Sequence, residues 1–303
     1  MIEPQIRAIT QNVRLLQLHP PIPGYDEFIG PYLLSDGQAA VIDIGPAVAV
    51  PSFLAALAKT NISRGDINYI IFTHIHIDHA GAAGTAIKEL PNAKILAHSR
   101  AREHLINPKA LWEASLKNLG DYAARSGPME PVPQDRIIDV IDGMKVSLGP
   151  NLEVELYLTP GHAAHHLCVF IPANGILFSG EAAGVCINGA VRLATPPPFK
   201  LNVTLSSIDK LIDLKPVRLC YSHFGCYNHG IERLKLYRQK VAEWYEIVNE
   251  EVEKGKDISQ IMPVLRTKDK ELNYLDRLDT DKYSRELSLI YNSIRGLSEG
   301  RLI

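Results

Sequence analysis

Residues 73–81 read Thr73-His74-Ile75-His76-Ile77-Asp78-His79-Ala80-Gly81, three imidazoles and a carboxylate within six positions, directly after the apolar run Tyr69-Ile70-Ile71-Phe72. In an extended chain residues two apart point to the same side, so His74 and His76 can serve one ion. Asp78 and His79 follow in the turn and can serve a second. Nitrogen and oxygen donors of this kind suit zinc, iron or manganese, and imidazole pairs that leave coordination positions open are what a catalytic site requires. A short apolar strand feeding such a loop sets the expectation for the fold, sheets whose edge loops carry the chemistry.

Working outward, strand-like runs fall at 39–44, 69–72, 94–97, 152–158, 167–171, 176–178 and 217–221, with helical patterns at 50–60, 82–90 and 205–214 between them. Asp43, His74, His98, His162, Glu181 and His223 each stand at or just beyond the end of one of these strands. Leu158-Thr159-Pro160-Gly161-His162 closes a strand with a proline-glycine turn, Phe178-Ser179-Gly180-Glu181 closes the next hairpin with a carboxylate, and Tyr221-Ser222-His223 closes the last strand with an imidazole. With the first motif these give five histidines and two carboxylates, a set that fits two metals sharing a carboxylate and a water. Asp43 is placed to orient a ligating imidazole, and His165 or His166 to hydrogen-bond a ligand. His98 reads as a cap or packing residue.

Length and composition are those of an ordinary soluble protein, 303 residues with 46% hydrophobic content. A net charge of −2 provides no basic field for nucleic acid or an anionic membrane. Met1-Ile2-Glu3-Pro4-Gln5 lacks the basic and apolar regions of a signal peptide, so a cytoplasmic protein is expected. Cys168, Cys186, Cys220 and Cys226 show no C-x-x-C spacing and read as reduced, mostly buried thiols.

The series T-H-x-H-x-D-H, T-P-G-H, an acidic residue after S-G and a late histidine after a strand resembles the metallo-β-lactamase superfamily over about three-quarters of the chain. The resemblance implies an α/β fold, a four-layer αββα sandwich, with two metals at one edge of the sheets. It assigns His74, His76 and His162 to the first metal, Asp78, His79 and His223 to the second, and Glu181 to the bridging carboxylate. Glutamate is a departure there, since most of the superfamily has aspartate; the extra methylene adds about 1.5 Å of reach. Substrate is left open, because hydrolases of several classes share the motif.

The remaining sequence suggests how a substrate would be held. An insertion at about 106–132, with Leu111, Leu116, Leu119 and Tyr122 at roughly helical spacing, reads as a helical lid. Thr195-Pro196-Pro197-Pro198-Phe199 reads as a stiff apolar wall flanked by Arg192 and Lys200, and Tyr25 and Phe28 come from another loop; Tyr25, Phe28 and Phe199 are the candidate substrate contacts. A catalytic domain is expected over 1–228 and a helical extension over 229–303. In that extension Ile231, Leu234, Tyr237, Val241, Trp244, Tyr245, Val248 and Val252 form one amphipathic stripe, and Tyr283 to Leu297 carries another. The stripe suits either a border to the active site, as in glyoxalase II-like members, or homo-oligomer packing.

The expected protein is a binuclear metal-dependent hydrolase of a small thioester, lactone or carboxylic ester. Zinc is preferred, with iron or manganese as alternatives. It would use a metal-activated hydroxide, with Asp78 as both ligand and proton carrier. The alternatives are a mononuclear iron oxidoreductase resembling persulfide dioxygenases and a phosphodiesterase or nuclease of the same fold.

Overall fold

The computed structural model describes residues 3–300, which divide into two compact units. The first holds the chain up to Leu158 together with Leu167–Asn174, and the second holds Thr159–His166 and the chain from Gly175 onward. The division does not fall near residue 228. The helical segment groups with residues 175–228 for a reason given by its buried charges, described below.

In the first unit a seven-stranded sheet runs in sequence order through β1 (Gln5–Ala8), β2 (Val13–Gln17), β3 (Tyr32–Asp36), β4 (Gln38–Ile42), β5 (Ile67–Ile71), β6 (Lys94–His98) and β7 (Ile137–Val140). Pairing is antiparallel from β1 to β4 and parallel from β4 to β7. Ala39 to Ile42 and Ile70 to Phe72 are buried throughout. Continuous apolar burial is what parallel strands covered on both faces require. The parallel connections carry helices α1 (Val50–Ala58), α2 (Ile77–Ala80), α3 (Ala83–Glu89), α4 (Arg102–Ile106), α5 (Lys109–Leu119) and α6 (Asp121–Ser126). An antiparallel ladder of β8 (Met144–Gly149), β9 (Leu152–Leu158) and β10 (Leu167–Ile171) completes the unit. There Val146, Leu148, Val154 and Leu156 turn inward, while Lys145 turns out to pair with Glu155 at 2.8 Å.

The insertion is helical, but its expected apolar face is not a face. Gly120, at φ 54°, ends α5 between Leu119 and Tyr122, so the four residues share no single stripe. Leu116 and Leu119 are 37% and 39% exposed. Tyr122 instead stacks on Tyr25, with ring centroids 4.2 Å apart and planes 16° from parallel.

The second unit contains β11 (Ile176–Gly180), the small hairpin β12 (Val185–Ile187) with β13 (Ala190–Arg192), α7 (Leu201–Asp213), β14 (Arg218–Tyr221) and β15 (Gly225–Asn228). β11 pairs parallel with β14, which pairs antiparallel with β15. The helices α8 (Gly230–Glu253), α9 (Ile258–Lys268) and α10 (Thr280–Glu299) follow, with a 3-10 segment at Lys270–Arg277. Leu234, Tyr237, Val241, Trp244 and Val248 of α8 are buried, and the helix packs on α7, α9 and α10 of its own unit. Asp257 caps α9 by accepting the Gln260 amide at 3.0 Å, while Gln260 returns a bond to the Asp257 amide.

The inward face of the extension is not purely apolar. Arg192 of the hairpin is buried and donates from Nε to Glu286 of α10 at 2.7 Å, and Tyr274 donates to the same carboxylate at 2.8 Å. Lys240 of α8 donates to Val191 O and to Glu271, each at 2.8 Å. Burial alone would lower the Arg192 guanidinium, yet the Glu286 carboxylate, with smaller help from Tyr274 and Glu181, holds it above its ordinary value. Breaking a buried pair of this kind strands a charge, so the hairpin and the helices form one body. Among the described residues no helix is long and apolar enough to cross a membrane.

Candidate metal centre

The first unit orients its histidines through one carboxylate. Asp43 follows β4 with φ 50°, a left-handed conformation that Asp tolerates better than most residues and that turns its carboxylate off the strand direction. Its Oδ1 accepts the Thr73 amide at 2.8 Å, and its Oδ2 accepts the Thr73 hydroxyl and His79 Nδ1–H, each at 2.8 Å. The Thr73 proton being committed to Asp43, Thr73 Oγ1 accepts from His74 Nδ1, 3.1 Å away. Both imidazoles therefore carry their proton on Nδ1 and present the Nε2 lone pair. His74 Nε2 lies 3.0 Å from His76 Nδ1, so the two rings bring ring nitrogens together. His76 caps α2, accepting the His79 and Ala80 amides on its carbonyl, and this short turn brings Asp78 Oδ2 within 3.7 Å of His79 Nε2. Asp43, Thr73, His74 and His79 are buried, so these bonds form in a low-dielectric setting.

The second unit presents its ligands from three turns. The Thr159–His162 turn lies against α7, with the Ser207 hydroxyl donating to Pro160 O at 2.6 Å. His162 Nδ1 stands 2.9 Å from Ala194 O. A carbonyl only accepts, so Nδ1 holds a proton, and Nε2 stands 2.9 Å from Glu181 Oε2. The other Glu181 oxygen, Oε1, is 4.0 Å from His223 Nε2. One carboxylate thus addresses two imidazoles, one with each oxygen. His166 takes no ligand position: its Nε2 accepts the Glu181 amide at 3.2 Å and its Nδ1 donates to Thr159 Oγ1 at 2.8 Å, which pins the backbone of the glutamate. His162, Glu181 and His223 are all buried. Thr204, Ser207 and Tyr237 line the small pocket around His162 and Glu181, and burial pushes the Tyr237 phenol well up.

Seven side chains carry metal-ligating atoms, His74, His76, His79 and Asp78 in the first unit and His162, His223 and Glu181 in the second. Three neutral nitrogens with a carboxylate, and two with a carboxylate, fit divalent zinc, iron or manganese.

The expected substrate contacts are placed differently. Phe28 is buried, Tyr25 is half-exposed, and the two rings meet edge to face at 5.1 Å. Phe199 is 0% exposed and packs near Tyr245, with centroids 6.4 Å apart; it is a core residue rather than an open wall. Arg192, which flanks that segment, is taken up by Glu286. His98 caps the turn after β6 by accepting the Arg100 amide at 3.0 Å, and burial and the Arg100 charge hold its imidazole below the usual range. Cys168, Cys186 and Cys220 are buried, and burial pushes the Cys186 thiol up despite the nearby Arg233. Thr73, which relays Asp43 to His74, stood inside the quoted motif without a role. The Ala194 carbonyl has no sequence signal at all.

Residues 30–223 match the model of the metallo-beta-lactamase superfamily. The chain is 32% identical over 213 residues to the metallo-beta-lactamase fold-containing protein ST1585 of Sulfurisphaera tokodaii, covering 68% of this chain and 77% of that one. The crystal structure of ST1585 superposes with a TM-score of 0.70 over 95% of this chain and 98% of the other, at 24% identity. A hydroxyacylglutathione hydrolase of Maricaulis maris is 28% identical over 177 residues, 58% of this chain and 54% of its own length. With the motif, the two mixed sheets, the C-terminal helices and the family match in agreement, the chain has the metallo-β-lactamase fold and belongs to the metallo-beta-lactamase superfamily.

Proposed function

We propose that this protein is a binuclear metal-dependent hydrolase of the glyoxalase II-like kind, acting on a small thioester, lactone or carboxylic ester. The observation that carries the reading is the anchoring of the histidines. Asp43, Thr73 and Ala194 O take up Nδ1 of His79, His74 and His162, respectively, so that an ion would be met by Nε2 of each ring. An acceptor on the far ring nitrogen is what orients a metal-bound imidazole. His74, His76 and His162 would hold one ion, Asp78, His79 and His223 the other, and Glu181 would offer an oxygen to each.

Two divalent ions so held would acidify a water molecule to a pKa of roughly 7 and polarise the carbonyl of the substrate. Around them this chain supplies orientation and proton handling. Asp78, whose side chain is 18% exposed where those of His79 and His223 are buried, would pass the proton to the leaving group. Tyr25, half-exposed and stacked on Tyr122 of the insertion, gives an aromatic surface for an apolar acyl portion. The name of the Maricaulis maris relative supports an acyl substrate. The net charge of −2 speaks against a polyanionic one.

Turnover of a panel of thioesters, lactones, carboxylic esters, phosphodiesters and β-lactams by metal-loaded protein tests the assignment. The expected result is hydrolysis in the first three classes and little in the last two. Phosphodiester turnover far above every carbonyl substrate would overturn it, and oxygen consumption by an iron-loaded form would favour the oxidoreductase alternative.

A further inference from the structure

The carbonyl that orients His162 belongs to a segment with little freedom of its own. Leu193, Ala194 and Thr195 follow β13 and are buried, and three of their peptide groups, Leu193 O and the Ala194 and Thr195 amides, bond to the C-terminal helices. Ser293 of α10 acts at two points: its hydroxyl donates to Leu193 O at 3.0 Å and accepts the Thr195 amide at 3.3 Å. The Ser293 carbonyl in turn accepts the Thr195 hydroxyl at 3.3 Å. Tyr237 of α8 accepts the Ala194 amide at 3.4 Å. One turn beyond Ser293 the helix lies against the same segment, since a Cβ on Gly296 would stand 1.9 Å from Thr195 O. Upstream, Arg192–Glu286 and Lys240–Val191 O hold the hairpin to the same two helices.

We propose that the C-terminal helices are a positioning element of the metal centre, with Ser293 the residue through which α10 fixes Ala194 O and thereby the tautomer and aim of His162. The proposal rests on the reading of His162 as a ligand. The physical step is short. Ala194 O accepts the Nδ1 proton only while the peptides on either side of it are held, and Ser293 bonds to one atom on each side. Without its hydroxyl the buried Thr195 amide has no acceptor, and the segment relaxes to find one. His162 then loses the acceptor that keeps its proton on Nδ1, and Nε2 is no longer reserved for an ion. Removing a direct partner of a metal-bound histidine weakens metal binding by 10- to 100-fold, and Ser293 stands one link further out, so an effect near the lower limit, about ten-fold, is expected.

The test compares Ser293→Ala, Tyr237→Phe and a control, Ile290→Val, which thins the buried face of α10 without touching residues 193–195. Cobalt(II) affinity is measured by competition with a chelator, and the His162 imidazole is followed by nitrogen-15 NMR in the metal-free protein, with its signals assigned from a His162→Gln sample. The expected result is about ten-fold weaker binding of one cobalt and a mixture of tautomers in Ser293→Ala, a smaller change of the same kind in Tyr237→Phe, and neither change in Ile290→Val. If Ser293→Ala does not fold, Tyr237→Phe, which keeps its ring, carries the test. Wild-type affinity and a single Nδ1–H tautomer in the serine and tyrosine variants would overturn the positioning role while leaving the metal reading intact. A wild-type protein that binds no cobalt, or a His162→Gln protein that binds it as well as wild type, would overturn the ligand reading itself and the proposal with it.

Discussion

The two units solve the same orientation problem in opposite ways. In the first, four candidate ligands come from Thr73–Gly81, and one carboxylate, Asp43, fixes two imidazoles, one directly and one through Thr73. In the second, His162, Glu181 and His223 come from separate turns, and the acceptors that hold them are a backbone carbonyl and a neutral histidine. A charged acceptor close in sequence needs little else. A peptide carbonyl at the end of a hairpin needs the rest of the unit, including helices that lie nearly a hundred residues beyond it. The first arrangement is local and electrostatic, whereas the second is delegated to packing.

That contrast can be broken most forcefully at Asp43. Asp43→Ala leaves three buried donors, the Thr73 amide, the Thr73 hydroxyl and His79 Nδ1–H, without their acceptor. At about 1–3 kcal/mol per stranded group, a loss of about 5 kcal/mol is expected in urea unfolding, together with loss of metal at both His74 and His79. A variant that unfolds at the wild-type midpoint and keeps its metal would show that the first unit does not depend on this carboxylate.

Packing in the second unit is probed next by Phe199→Ala. Because the ring is fully buried, truncation should cost about 4 kcal/mol of stability, while the KM of the proposed hydrolysis by the remaining folded protein stays unchanged. A raised KM with wild-type stability would return Phe199 to the substrate.

The smallest of the three effects concerns Glu286. Burial alone would raise its carboxyl, but Arg192 and Arg285, with the Tyr274 hydroxyl, hold it below the usual 4.5. A depressed carboxyl contributes stability that is fully present above its unfolded value and is lost as the pH falls through the folded one. Wild-type stability should therefore decline below about pH 4.5, and Glu286→Gln should be less stable by about 3 kcal/mol at neutral pH and show a shallower acid decline. Parallel acid limbs in the two proteins would remove Glu286 from the account.

The same contrast explains what the sequence disclosed. The local ligand set was legible because spacing alone puts His74, His76, Asp78 and His79 together, and Asp43 could be read from its place at a strand end. The strands covered on both faces, such as β4, β5 and β10, stood out as apolar runs. β1, β2 and β8 did not, because half their side chains are polar and face outward. Polarity sends Arg192, Arg285 and Glu286 to the surface, since a lone charged residue carries no mark of the partner that will accompany it inward. The prolines before Phe199 announce stiffness but not which side faces solvent. No side-chain pattern encodes the Ala194 carbonyl, whose role follows from where the C-terminal helices place it.

The proposed binuclear centre requires that seven ligands hold two ions. Elemental analysis of purified protein after supplementation with zinc, iron or manganese and removal of loosely bound metal puts that requirement to the test. The account predicts two divalent ions per chain, falling to one or fewer in His79→Ala and in His162→Ala. A single ion per chain that no supplementation raises, or two ions retained in both variants, would contradict it.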